Sequence, residues 1–307
     1  MDRNHIGSGE RTVSRPSALH AWWLAARPKT LWAGLAPVFV GTAVAHAHGG
    51  IKPLPAAAAA LGSILIQIAT NLANDYFDHK KGADTADRVG PDRAVQQGWI
   101  SPRAMLTATI LVLAAALAVG VYLISVGGLP IAAIGLASLI CAIAYTGGPF
   151  PLAYVGLGDA FVFAFFGLAA VAGTTWVQTL NAPPAAWVGG ACMGLLATAI
   201  LVVNNLRDRI TDEAANKRTL AVRFGARAAR WEHTITIAGA YGLTALAYGV
   251  GWLPLWSALL PLAALPLAVH EIRCVWSKDG PDLNPHLGGA ARLELVFGLL
   301  FSLGFFA

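Results

Sequence analysis

The run Asn71-Leu72-Ala73-Asn74-Asp75-Tyr76-Phe77-Asp78-His79-Lys80-Lys81-Gly82-Ala83-Asp84-Thr85-Ala86-Asp87-Arg88-Val89-Gly90-Pro91-Asp92-Arg93 lies between two long apolar stretches. Its carboxylates are Asp75, Asp78, Asp84, Asp87 and Asp92. On a helix, Asn71, Asp75 and Asp78 stand at i, i+4 and i+7, so the spacing puts them on one face with Asn74 beside them. Carboxylates at the mouth of a membrane helix cost several kcal/mol unless they pair or bind something. A second run, 204–227, has the same character, with Asn204, Asp208 and Asp212 at i, i+4 and i+8. Two such stripes suit a hard cation such as Mg2+ that shares its coordination shell with phosphate oxygens.

Working outward, the 307 residues are 56% hydrophobic and 12% charged, with mean hydropathy +0.61. A soluble domain carries about 25% charged residues. Apolar runs near 20 residues recur, which reads as an all-α polytopic membrane bundle rather than a soluble domain. Nine spans are expected, at about 30–48, 54–74, 103–124, 129–146, 156–177, 185–205, 231–250, 254–274 and 289–306. Residues 1–16 read as a polar, disordered tail without a signal-peptide pattern, and 17–307 as one membrane domain. Trp22 and Trp23 suit the bilayer interface in a short amphipathic lead-in. Cys141, Cys192 and Cys274 read as small buried residues, and no Cys/His cluster has zinc spacing.

The net charge of +5 matters less than its distribution. With the N-terminus in the cytoplasm, Lys52 alone among the 21 Lys and Arg falls on the outer side. The positive-inside rule then puts the 2–3 and 6–7 loops in the cytoplasm of a cell-membrane protein. The acids fall on that side too, where the bilayer does not require them. Both motif loops follow spans four helices apart, which reads as a weak internal repeat with a ninth helix added.

The chemistry follows from the donors. Release of diphosphate is the hard part of any reaction that ionises an allylic diphosphate, and Mg2+ bridging carboxylates and phosphate oxygens neutralises that leaving group. Asp75, Asp78, Asp208 and Asp212 are the expected catalytic ligands, with Asn71, Asn74 and Asn204 adding carbonyl oxygens or holding metal-bound water. Lys80, Arg88, Arg93, Arg207, Lys217 and Arg218 are candidates for phosphate contacts. The bland alternative, charge-balanced solvated loops, explains one such run but not two matching ones on one membrane side. In 145–178, Gly and Pro make an irregular loop, Asp159 opens a span, and Tyr145, Phe161, Phe165 and Trp176 can shield an allylic cation. For any single aromatic, ordinary lipid or helix packing is the better reading.

The motifs also carry a resemblance. Asn74-Asp75-Tyr76-Phe77-Asp78 and Asp208-Arg209-Ile210-Thr211-Asp212 resemble the Asn-Asp-x-x-Asp and Asp-x-x-x-Asp motifs of the UbiA superfamily of membrane aromatic prenyltransferases. Arg27-Pro28-Lys29-Thr30-Leu31, Gly82-x-Asp84, Asp87-Arg88-x-Gly90-Pro91, Asn204-Asn205-x-Arg207-Asp208 and Lys217-Arg218-Thr219-Leu220-Ala221 resemble its naphthoate branch. Gly82 stands where many members place a further Asp, and Asp159 where many naphthoate enzymes have Glu. The resemblance implies a nine-helix bundle with a cytoplasmic cap over the diphosphate and a cavity open to membrane lipid. It implies Mg2+-dependent transfer of a polyprenyl chain from polyprenyl diphosphate to 1,4-dihydroxy-2-naphthoate, with loss of CO2 to give demethylmenaquinone. Lys29, Tyr145 and Asp159 are the implied acceptor-binding residues, with Lys29, Arg93 or Arg207 holding the acceptor carboxylate.

Three rival readings remain. One is another aromatic acceptor in the same superfamily, such as 4-hydroxybenzoate. The second is a transporter, which should carry ionisable groups deep in several spans; mid-span regions here read as almost free of them. The third is a membrane scaffold that uses the loops merely to bind partners, and phosphate-dependent Mg2+ binding would separate it from an enzyme. No nucleic-acid partner is expected.

Overall fold

A computed structural model describes residues 16–82 and 89–307. Among them every regular element is helical. Helix α1 (Ala18–Ala26) starts at Ser17, whose hydroxyl accepts from the His20 N–H. Arg27 then takes a left-handed backbone conformation (φ 52°), turning the chain into α2 (Pro28–Ala47). Helix α3 (Pro53–Lys80) has 28 residues, about 42 Å at 1.5 Å per residue. That exceeds the ~30 Å hydrocarbon core, so its last turns, with the first motif, emerge from the apolar layer. The remaining helices are α4 (Pro102–Gly127), α5 (Leu129–Ala144), α6 (Gly158–Thr179), α7 (Pro184–Arg207), the short α8 (Arg209–Ala214), α9 (Leu220–Gly249), α10 (Leu255–Ser277) and, after a 3-10 turn at Gly280–Leu283, α11 (Asn284–Leu303).

Seven of these bodies are long and apolar enough to cross a membrane, which makes the chain a multi-pass membrane protein. Helical segments overlie all nine expected spans, but two differ from the expectation. Helix α5 has 16 residues, about 24 Å. Helix α9 bends at Gly225 (φ 82°) and carries the polar residues of its first half, so its hydropathy is low.

Small residues decide the packing. Helices α6 and α7 meet backbone to backbone, Gly167 against Gly190 and Gly194, and a Cβ on Gly194 would lie 2.5 Å from the Phe163 carbonyl oxygen. The same stretch of α6, Phe163–Ala169, is a π-helical turn. Helix α7 runs through the middle, against α9, α6 and α11, while α2 packs on α11 and α3 on α4. Ile110, Leu111 and Val121 of α4 and Ile140 of α5 stay exposed, as a lipid-facing surface requires.

Three expectations are corrected. Glu294 lies fully buried inside α11, about 15 Å from its start, so the acids are not confined to the loops. Cys141 and Cys274 are half-buried rather than buried. Asp208 does not continue the helix of Asn204; it sits at the corner between α7 and α8 (φ −91°, ψ 6°), so the second motif bends over the mouth of the bundle.

Candidate active site

The end of α3 and the corner after α7 face one another across a cavity of about 660 Å3, within the range of small-molecule sites. Its walls come from α2 to α7, with the connections around residues 91–93, 145–154 and 211–217 at one end. That end is polar; the body is apolar, with side chains such as Ile66, Leu123, Ile131, Phe166 and Val177.

The face α3 turns to this cavity is Asn71, Asn74 and Asp78. Asp75 stands on the flank of that stripe, one residue or about 100° round from Asn74. Both Asp75 oxygens accept backbone N–H groups, from Ala94 at 3.0 Å and Val95 at 3.2 Å. It therefore ties the 91–97 segment to α3 and does not line the cavity. Asp78 does the opposite: its Oδ1 accepts from the Tyr154 hydroxyl at 2.9 Å and its Oδ2 from Arg93 at 3.0 Å, with the carboxylate at the cavity wall. Asn74 accepts from the Thr146 hydroxyl at 2.8 Å, and Asn71 donates to the Ala26 carbonyl and to Thr30.

Opposite, Arg207 forks onto its neighbour Asp208 with bonds of 2.7 and 2.6 Å, and also donates to Asn204 at 2.8 Å and Asn284 at 3.2 Å. Lys217 lies 3.3 Å from Asp212 Oδ1. Burial pushes Asp212 up to about 6; Lys217 pulls it down and Asp208 pushes it further up. Burial works to discharge Lys217, but Asp212, Asp78 and Asp208 together outweigh it and raise its affinity for the proton. The carboxylates of both motifs thus act on one ammonium group, which is the electrostatic mark of a single site.

The structure places the other expected residues as follows. Arg93, Arg207, Lys217 and Asn204 line the cavity, as do Tyr145, Phe161 and Phe165. Trp176 does not; its indole N–H donates to the Gly127 carbonyl at 2.8 Å. Lys29, Lys80 and Arg218 are exposed and outside the cavity lining. Lys81 is likewise exposed and outside the lining, but it shares the face of Asp78 at i+3, donates to the Thr146 carbonyl at 2.6 Å and lies 4.3 Å over the Tyr154 ring. Burial lowers the Lys81 pKa, with the Asp78 charge opposing. Asp159 is buried behind Tyr145, beside Asn205 and Thr219, facing a void of about 10 Å3 rather than the cavity. Arg88, with Asp84 and Asp87, lies outside the described residues. Residues that the sequence does not single out are Tyr154, Thr146 and Asn284. Tyr154 and Thr146 sit in an aperiodic Gly/Pro loop and Asn284 comes from the far end of the chain, so no spacing announces them.

A helical membrane bundle whose two Asn/Asp motifs meet over an apolar cavity is the arrangement of a family, and the chain belongs to it: residues 34–287 match the UbiA prenyltransferase family. Over nearly its whole length it is similar to 1,4-dihydroxy-2-naphthoate octaprenyltransferases. That of Haemophilus influenzae is 39% identical over 295 residues, 93% of this chain and 96% of the relative. That of Escherichia coli is 39% identical over 302 residues, 96% and 98%, and that of Mycobacterium tuberculosis 38% over 286 residues, 91% and 94%. The fold resembles a UbiA homologue of Aeropyrum pernix (TM-score 0.68, 16% identity, 91% of this chain and 98% of that one). It also resembles one of Archaeoglobus fulgidus bound to GPP and Mg2+ (0.61, 16%, 92% and 99%).

Proposed function

We propose that this protein transfers a polyprenyl chain from polyprenyl diphosphate to 1,4-dihydroxy-2-naphthoate, releasing diphosphate and CO2 and building the demethylmenaquinone skeleton. The observation that carries the reading is the meeting of Asp78, Asp208 and Asp212 over one cavity with an apolar body. The relatives that carry this activity in their names match nearly the full chain.

The donor set fits Mg2+. Asp78, Asp208, Asp212, Asn74 and Asn204 offer hard oxygens, and Asp212 Oδ2 is buried without a hydrogen-bond partner. When bound, Mg2+ supplies charge neutralisation of the diphosphate leaving group. The chain's own groups do the rest. Arg93, Arg207, Lys81 and Lys217 surround the carboxylates and take the diphosphate oxygens. Asp75 positions Arg93 by holding the Ala94 and Val95 backbone. The apolar cavity takes the tail, and Tyr145, Phe161 and Phe165 face the allylic carbon whose bond to the diphosphate oxygen breaks. The electron-rich naphthoate ring forms the new carbon–carbon bond. Lys29 lies outside the lining, whereas Arg27, two residues before it, lines the cavity and its charge reaches Tyr145, so Arg27 takes the acceptor carboxylate. Nine crossings, with both termini of the motif loops on the cytoplasmic side as a cap, complete the reading; the one-sided Lys/Arg distribution supports it.

The test is a detergent assay of purified protein with Mg2+, a long-chain polyprenyl diphosphate and 1,4-dihydroxy-2-naphthoate, with 4-hydroxybenzoate in parallel. The expected result is a decarboxylated prenyl naphthoquinol, recovered as the quinone after oxidation by air, whose formation chelation abolishes. Product from hydroxybenzoate alone overturns the acceptor; no product from either with intact protein overturns the function.

A further inference from the structure

A second polar cluster sits away from the cavity, where the end of α10 meets the start of α11. His270 and Cys274 stand one turn apart on α10, with Nε2 and Sγ 3.7 Å from one another. His286 of α11 joins them, and a ligand atom from each of the three lies within 4.8 Å of the other two. The sequence hides the group, because His286 is separated from Cys274 by the α10–α11 connection and the spacing matches no zinc pattern.

Its details are those of a ligand set. His286 Nδ1 lies 2.8 Å from Glu271 Oε2, and both residues are buried. A carboxylate on one ring nitrogen fixes the tautomer and presents the other as a lone-pair donor. That other nitrogen, Nε2, lies 2.7 Å from the Lys278 ammonium, a cation held at the end of a flexible stem. The neighbouring backbone is shaped to let Glu271 in: any Cβ at Gly289 would strike its carboxylate. In a tetrahedral site with metal–sulfur about 2.3 Å and metal–nitrogen about 2.0–2.1 Å, sulfur and nitrogen stand about 3.6 Å apart, close to the His270–Cys274 separation.

We infer that His270, Cys274 and His286 bind one soft transition-metal ion of the Zn2+ type, with Glu271 orienting His286 from behind. Imidazole and thiolate select such a metal over Mg2+, which the all-oxygen set at the cavity takes instead. On binding, Cys274 gives up its thiol proton, the metal takes the Nε2 lone pair of His286, and Lys278 swings out. The ion clips α10 to α11. It lies two residues from Asn284, whose side chain donates to the Val89 carbonyl at 3.1 Å and accepts from Arg207. The clip therefore braces the helix that supports the second motif, independently of which aromatic acceptor the enzyme uses.

The experiment uses untagged, full-length protein in detergent, stripped with chelator and titrated with Co2+ and Zn2+ in excess Mg2+. One equivalent of Co2+ is expected to give a thiolate-to-cobalt charge-transfer band that Zn2+ bleaches, and Zn2+ to raise Tm. Cys274→Ser should abolish the band and weaken Zn2+ binding at least tenfold, while keeping the Mg2+-dependent prenyl transfer. Asp208→Asn should keep the band and lose the transfer, which separates this site from the proposed activity. His286→Gln is the second probe; if it does not fold, Cys274→Ser decides alone. Absence of the band in the native protein, or an unchanged band and affinity in Cys274→Ser, overturns the site.

Discussion

Tyr154→Phe tests the site through a single hydrogen bond. The Tyr154 hydroxyl and Arg93 are the donors placed on the two oxygens of Asp78, a carboxylate 4% exposed. A hydrogen bond to a charged group contributes about 1.5–3 kcal/mol. Each 1.36 kcal/mol is a factor of ten in rate, so if the bond holds Asp78 in its working orientation, kcat/KM falls about ten- to a hundredfold. Phenylalanine keeps the ring over which Lys81 sits at 4.3 Å, and the Tyr154 carbonyl still accepts from the Arg218 N–H, so the loop stays in place. The assay is steady-state prenyl transfer over a range of Mg2+ concentration, with Tm as the control for folding. A raised Mg2+ midpoint with Tm nearly unchanged is expected. Turnover within twofold of wild type at limiting Mg2+, with the same midpoint, would refute a positioning role for Tyr154 at Asp78.

Other outcomes follow from the same geometry. Asp75→Ala should lower Tm and turnover together, because it strips the acceptors from two buried N–H groups at about 1–3 kcal/mol; Asp78→Ala should lose turnover with a smaller change in Tm, and the reverse ranking by thermal melting would sink the assignment. Asp212 titrates near 6 in the metal-free protein, above its ordinary value, so it binds its proton more tightly folded than unfolded. That contribution to stability is present below about pH 4 and is lost as pH rises through 6; Mg2+ competes with the same proton, so apparent Mg2+ affinity should fall below pH 6 in calorimetric titrations, and Asp212→Asn should flatten that dependence. Arg27→Ala should raise KM for the naphthoate and leave that for the prenyl diphosphate within about threefold, as separate saturation curves would show. Gly194→Val should destabilise by about 1–3 kcal/mol or more through its contact with the Phe163 carbonyl, read as loss of folded protein on size exclusion.

Much of this protein is legible in one dimension because a membrane imposes a one-dimensional rule. Backbone groups must be satisfied within each span, so apolar length alone announces α2, α3, α4, α6, α7, α10 and α11. The pairing of the two Asn/Asp runs is legible for a similar reason: each is local, at the emerging end of one helix. What the sequence could not decide is which member of a helical run faces inward. One residue is about 100° of rotation, and that step separates Asn74, which lines the cavity, from Asp75, which holds backbone, and Lys80 from Lys81, whose ammonium reaches the Thr146 carbonyl. Nor could it assemble contacts between distant segments. Tyr154 reaches Asp78, Asn284 reaches Arg207, and His286 reaches His270 and Cys274 only because helix packing at small residues sets the distances between chain segments that no spacing relates.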